Sequence, residues 1–167
     1  MGRDKATLQF HDRSLLEHMV QLLSTVANPV RVVGRGALFD RIPDSGPLGG
    51  ILTALETSKS PMNLMVAVDL PLLSPEFLKW FASRLTRSVY TVVACQVRNN
   101  FPLCIGVHQN AQTLAARKIA EGDLAVHRFI REASAEIVSE SEIQSAGFLD
   151  SLFCNFNTPE QWDPFNR

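Results

Sequence analysis

The stretch from Asp40 to Pro75 restricts the fold of this chain more than any other. It opens Asp-Arg-Ile-Pro-Asp-Ser-Gly-Pro-Leu-Gly-Gly-Ile-Leu-Thr-Ala-Leu and, after a polar break, closes Leu64-Met-Val-Ala-Val-Asp69-Leu-Pro-Leu-Leu-Ser-Pro75. The first half is a loop that runs into a helix. Asp44-Ser45-Gly46-Pro47 is a turn, and Gly49 and Gly50 keep the helix start clear of side chains, so that free backbone N–H groups can meet a ligand. The second half is a nearly all-apolar run of the kind buried on both faces of a parallel sheet. It stops at Asp69, with Pro71 and Pro75 preventing continuation. A carboxylate just past the C-terminal end of such a strand lies where open α/β sheets bind ligands. Phosphates in that cleft usually arrive with Mg²⁺, which takes one or two carboxylates besides phosphate oxygens. The same residues also fit a tight connection with no ligand, since polar residues commonly end strands.

Length and composition narrow the classes. At 167 residues the chain has the size of a single domain, here taken as 1–167, with room for a sizeable core. A formal net charge of −1 gives no general attraction to nucleic acid or to an anionic membrane, so any phosphate site must be local. No apolar run is long enough for a membrane span and no signal peptide opens the chain, which points to the cytoplasm. Cys95, Cys104 and Cys154 are odd in number and widely spaced, as buried thiols of a reducing compartment are. The four histidines are scattered and form no zinc motif.

Taken in order, the pattern alternates. Met1 to Phe10 is a basic, loop-like entry. Asp12 or Ser14 caps a helix whose apolar face is Leu15, Leu16, Met19, Leu22, Leu23 and Val26. Val30 to Val33 reads as a strand. After Asp69, Ser74 and Pro75 start a helix over Glu76 to Arg84. Val89 to Val97 and Leu103 to Val107 read as strands flanking a turn at Asn99-Asn100-Phe101-Pro102. Helices follow over Ala111 to Glu121 and Leu124 to Ala133. Arg117, Lys118, Arg128 and Arg131 decorate them, a cluster whose sign suits a pterin phosphate but which reads better as a solvated charged face. Ile137-Val138 is a short strand, Ser139 to Ala146 a capped helical turn, and Leu152 to Phe156 a last strand before a helix start at Thr158-Pro159-Glu160-Gln161. The fold class is therefore α/β: a three-layer α/β/α, Rossmann-like domain with a mostly parallel sheet.

Four stretches, in order and spread over nearly the whole chain, resemble the molybdenum cofactor guanylyltransferases, members of the α/β nucleotidyltransferases. They are Met1-Gly2-Arg3-Asp4-Lys5-Ala6, Gly46-Pro47-Leu48-Gly49-Gly50, Val68-Asp69-Leu70-Pro71 and Asn155-Phe156-Asn157-Thr158-Pro159-Glu160. The resemblance implies an enzyme that joins the GMP half of GTP to molybdopterin. It implies Lys5 and Asp69 as catalytic residues, with Arg3, Lys5, Asp40, Gly46, Pro47, Leu48, Gly49 and Asp69 around the nucleotide and Mg²⁺ on Asp69. Lys5 would meet the phosphates as a point charge. Asp40 would accept two hydrogen bonds from guanine N1 and its exocyclic amine. Pro102, His108, Asn155 and Asn157 are the candidates for the pterin side. GTP and molybdopterin would be the substrates, and molybdoenzymes or their chaperones the protein partners of a monomer or weak homo-oligomer. A sister nucleotidyltransferase using CTP or a sugar phosphate shares the same loop and Asp69. A non-catalytic pterin- or nucleotide-binding protein would keep the cleft without turnover.

The family opens with a buried strand and a Gly-Gly-x-Ser-x-Arg loop ahead of the segment matched by Met1 to Ala6, and neither is present in this sequence. Either the start was assigned at an internal methionine or the loop was lost. That strand belongs at the sheet centre, so the chain alone is expected to be marginally folded or to associate through exposed sheet edges.

Overall fold

In the computed structural model, residues 5–34, 38–39 and 42–155 are described. A 3₁₀ turn, Lys5–Thr7, leads into a two-stranded hairpin of β1 (Gln9–Phe10) and β2 (Arg13–Ser14). Ser14 then caps α1 (Leu15–Leu23) in a reciprocal capping box with Glu17, and Asp12 instead pairs with Arg13. Next come α2 (Gly46–Thr57), β3 (Met62–Val66) and α3 (Pro75–Leu85), the last begun by Ser74 with proline in the first turn. β4 (Val92–Gln96), β5 (Cys104–His108), α4 (Gln112–Ala120), α5 (Val126–Glu132), β6 (Ala135–Ser139) and α6 (Glu140–Ser145) complete the set.

The four longer strands form one sheet in the order β3-β5-β4-β6. β4 and β6 pair in parallel, whereas β5 runs antiparallel to both of its neighbours. Three of the four strands thus share a direction, but the sheet is mixed because β5 lies between β3 and β4. The cause is local. The connection from β4 to β5 is a tight turn closed by a bridge between Val97 and Asn100, and strands joined by so short a turn can only be antiparallel.

Alternation along the strands separates two cores. Val93, Cys95, Cys104 and Val138 face α1, α3 and α6, with Phe77, Phe81 and Leu85 at the centre. Val92, Ala94, Ile105 and Val107 face α2, α4 and α5 around Leu52, Leu55 and Phe129. The expected three layers are present. Two expected strands are not. Residues 30–33 carry no ladder pairing among the described residues, and Leu152 falls in a 3₁₀ turn, Asp150–Phe153, instead of a strand. Phe153 explains the second difference: its ring packs edge-on against Phe77, at 5.1 Å between centroids, and the tight turn delivers it there.

β3 differs from β4 and β5 in burial. The latter two are almost wholly buried, but all five residues of β3 are half-exposed although four are apolar. Along its open side runs a cavity of about 700 Å³, whose lining includes Val30, Val32 and Val33 as well as Met62, Leu64 and Val66.

Candidate active site

Asp69 follows β3 by three residues and is held by the turn after it. Leu70 and Leu73 are buried, and the Leu73 N–H donates to the Leu70 carbonyl. The side chain of Ser74 accepts from the Phe77 N–H and so fixes the start of α3. A fourth restraint comes from α1, where His18 Nε2 lies 3.0 Å from the Pro71 carbonyl oxygen. A carbonyl only accepts, so Nε2 carries the proton in this contact. Burial lowers the His18 pKa and favours the neutral ring. His18 was not among the residues singled out by sequence. Its spacing from Leu15, Met19 and Leu22 puts it beside the buried face of α1, and that was the available signal.

Lys5 Nζ stands 3.2 Å from Asp69 Oδ2, and both side chains keep partial access to solvent, 37% and 22% respectively. Next to Lys5, Ala6 is buried and anchors the 3₁₀ turn that presents the ammonium.

The start of α2 is the third component. Asp44 and Gly46 have positive φ, 58° and 56°, so the chain turns sharply into the helix. Ser45 is the N-cap and is buried, but its side chain caps no N–H. Among the described residues no side chain caps the first turn of α2, and the helix dipole adds partial positive charge there. A β-carbon on Gly49 would lie 2.7 Å from Ser45 Cβ, which is why the helix can sit against its own turn only with glycine at that position.

These parts border one cavity: Ala6 beside Lys5, Val68 beside Asp69, and Gly46, Pro47 and Gly50 of α2. Leu48 is instead buried in the core under the helix. The pterin-side candidates are dispersed. Pro102 lies at the Asp69 end of the sheet, since the Ala67 N–H donates to the carbonyl of its neighbour Leu103. His108 pairs with Met62, at the far end of β3 from Asp69, and β3 alone spans about 13 Å. Its Nδ1 accepts from the Asn110 N–H, a local capping role. Asn155 is exposed, and Arg3, Asp40 and Asn157 lie outside the described residues.

The basic residues of α4 and α5 are largely taken up by partners. Lys118 is buried with Asp123 and Glu132 at 2.8 and 2.6 Å, Arg117 pairs with Glu121 and Glu132, and Arg128 with Asp123. Their charged-face role is structural. No group of three or more His, Cys, Asp or Glu side chains able to cage a metal occurs among the described residues. Asp69 alone fits Mg²⁺ only as one protein ligand to an ion whose other ligands are phosphate oxygens and water, which is the usual mode for this ion.

The first 138 residues match the model of the MobA-like NTP transferase domain. The chain is 33% identical over 168 residues to the molybdenum cofactor guanylyltransferase of Xanthomonas euvesicatoria, covering 97% of this chain and 85% of that one. It is 26% identical to a probable molybdenum cofactor guanylyltransferase of Flavobacterium johnsoniae, covering 94% and 92%. Among solved structures, molybdopterin-guanine dinucleotide biosynthesis protein A of Archaeoglobus fulgidus shares the fold with a TM-score of 0.78 at 16% identity, covering 99% of this chain and 90% of that one. The 2-C-methyl-D-erythritol 4-phosphate cytidylyltransferase of Thermus thermophilus follows at 0.63 and 15%, covering 96% and 91%. With its match running from residue 1 to residue 138, the chain belongs to the MobA-like NTP transferase family of nucleotidyltransferases.

Proposed function

We propose that the protein transfers the GMP moiety of GTP to molybdopterin, giving the guanine dinucleotide form of the cofactor and pyrophosphate. The names of its relatives support guanylyl transfer in molybdenum cofactor synthesis. The observation that carries the reading is the Lys5–Asp69 ion pair, whose chain neighbours Ala6 and Val68 line one cavity together with Gly46, Pro47 and Gly50 of α2. Lys5 Nζ lies 3.2 Å from Asp69 Oδ2, and among the described residues no side chain caps the N-terminus of α2.

The residues divide the work by charge. Lys5 neutralises phosphate oxygens, and the N–H groups at the start of α2 donate to them. Asp69 would hold Mg²⁺ brought in with the nucleotide, and the ion would offset charge on the phosphates. Asp40 reads guanine. An oxygen of the molybdopterin phosphate forms the new bond to the α-phosphorus as the bond to the bridging α–β oxygen breaks, and pyrophosphate leaves with that electron pair. The attacking phosphate is already deprotonated, so no general base is required. Positioning and charge neutralisation are the catalytic means, as in phosphoryl transfer elsewhere.

A pyrophosphate-release assay with molybdopterin and each of GTP, CTP and ATP tests this. GTP-selective release supports the reading. CTP-selective release assigns the chain to the sister reaction suggested by its likeness to a cytidylyltransferase, and nucleotide binding without release makes it a binding protein.

A further inference from the structure

A side chain of α1 touches both of the segments that bring Lys5 and Asp69 together. The His18 ring lies against that of Phe10, with 4.6 Å between centroids, and His18 Nε2 donates to the Pro71 carbonyl at 3.0 Å. Phe10 belongs to the Lys5 segment. It is buried, and the Leu8 N–H donates to the Lys5 carbonyl, which joins the 3₁₀ turn to β1. The Leu15 N–H donates in its turn to the Leu8 carbonyl and ties the same segment to the start of α1. Pro71 belongs to the Asp69 side, two residues further along the chain. His18 therefore packs on one segment and bonds to the other.

The ion pair cannot hold this spacing by itself, since both of its side chains are partly exposed and solvent screens them. Burial of Leu70 and Leu73 anchors the ends of the turn after Asp69, but apolar packing gives its central peptide no direction. That turn is closed by the Leu73 N–H on the Leu70 carbonyl and has proline in its second position. Proline there suits two turn types that differ by a flip of the central peptide, whose oxygen is the Pro71 carbonyl. Leu72 lacks the positive φ of the flipped form, a form that leucine disfavours in any case. The bond from His18 adds location: it fastens the central peptide to a helix that is itself fastened to the Lys5 segment.

We propose that His18 is a positioning residue of the candidate site, holding the Lys5 segment and the Asp69 turn at one spacing so that ammonium and carboxylate act on the same phosphates. It works through these two residues, and small displacements of such groups are costly in a reaction that depends on alignment. The consequence for nucleotide binding rests on the guanylyl-transfer reading. The geometry does not.

Two variants separate the donor from the ring. His18→Gln puts an amide N–H at the reach of Nε2, and His18→Phe keeps a ring on Phe10 without the donor. The first readout needs no nucleotide. Amide exchange at Leu73, which reports opening of the turn, should rise about tenfold in His18→Phe relative to Ala94 in β4, and stay at the parent rate in His18→Gln. The second is calorimetry. The affinity for GTP with Mg²⁺ should fall about tenfold in His18→Phe and return to within about twofold of the parent in His18→Gln. In an Asp69→Asn background the His18→Phe loss should be smaller, because residues that act through one another are not additive. Three results overturn the proposal: unchanged exchange at Leu73 in His18→Phe, a loss of affinity as large in His18→Gln as in His18→Phe, or equal losses with and without Asp69. A parent protein that does not bind GTP with Mg²⁺ refutes the guanylyl-transfer reading instead, and exchange at Leu73 in the two variants then decides the role of His18.

Discussion

Replacement of Asp69 by asparagine separates a structural carboxylate from a metal-holding one. The only ion pair of Asp69 among the described residues is with Lys5, at 3.2 Å, and both side chains are partly exposed, 37% and 22%. A pair so placed is worth about 0–1 kcal/mol. The turn itself is held by Leu70, Leu73 and the His18 contact, none of which the substitution touches. For a chain of this size the melting temperature should therefore fall by no more than about 2–4 °C. Binding should respond on another scale. Loss of a charged partner in a desolvated contact costs about 2–5 kcal/mol, so the affinity for GTP with Mg²⁺ should fall about 30-fold or more. Without Mg²⁺ the sign reverses. Asp69 then only repels phosphate and occupies Lys5, and Asp69→Asn should bind GTP as well as the parent or better. Calorimetry with and without Mg²⁺, beside thermal melts, measures all three quantities. An identical Mg²⁺ dependence in the two proteins would refute the assignment of the metal to Asp69.

Gly49→Ala should lower the melting temperature by about 2–12 °C, because a β-carbon 2.7 Å from Ser45 Cβ meets an atom fixed to backbone and overpacking costs about 1–3 kcal/mol; an unchanged melt would mean that the turn is not packed on α2. The Asp123 carboxyl is held down to about 2, chiefly by its hydrogen bond from Lys118 and then by that from Arg128. Its stabilising contribution is complete above the ordinary value of 3.8 and is lost as pH falls from there toward about 2, so melts across that range should decline less steeply in Asp123→Asn. Burial pushes the Cys104 thiol up to about 12 and that of Cys95 well above its usual value, whereas Cys154 is half-exposed. A thiol reagent at neutral pH should thus modify one cysteine promptly, and the other two only on unfolding.

The parts of this fold that were legible in the sequence are those specified by local chemistry. Ser14 and Ser139 cap their helices in boxes closed by Glu17 and Glu142 three residues on, and Pro75 opens α3. The turn at Asp44-Ser45-Gly46-Pro47 and the carboxylate after β3 were found in the same way, since turn residues and strand ends punctuate a sequence. Tertiary contacts were not legible. Leu152 and Phe153 have the composition of a strand, but the place waiting for Phe153 is a gap beside Phe77, and that overrode the local preference. His108 is a strand-end histidine by sequence. Only the antiparallel pairing of β5 with β3 puts it at the other end of the sheet from Asp69.

The open edge of β3 marks a deeper limit. Hydrophobic pattern reports which faces of an element are covered, because side chains carry it; ladder pairing lies in the plane of the sheet, where only backbone groups are exchanged. Leu64-Met65-Val66-Ala67-Val68 reads as a strand covered on both faces, and that is what it is, with Leu64, Val66 and Val68 toward one core and Met65 toward the other. Nothing in the run distinguishes two ladder partners from one. Among the described residues its one ladder partner is β5, and its half-exposed residues lie along the cavity although both cores are present. The same space is lined by Val68 and Ala6, the chain neighbours of Asp69 and Lys5, and by Gly46 and Pro47 at the start of α2, so the candidate site and the edge of β3 share one cavity.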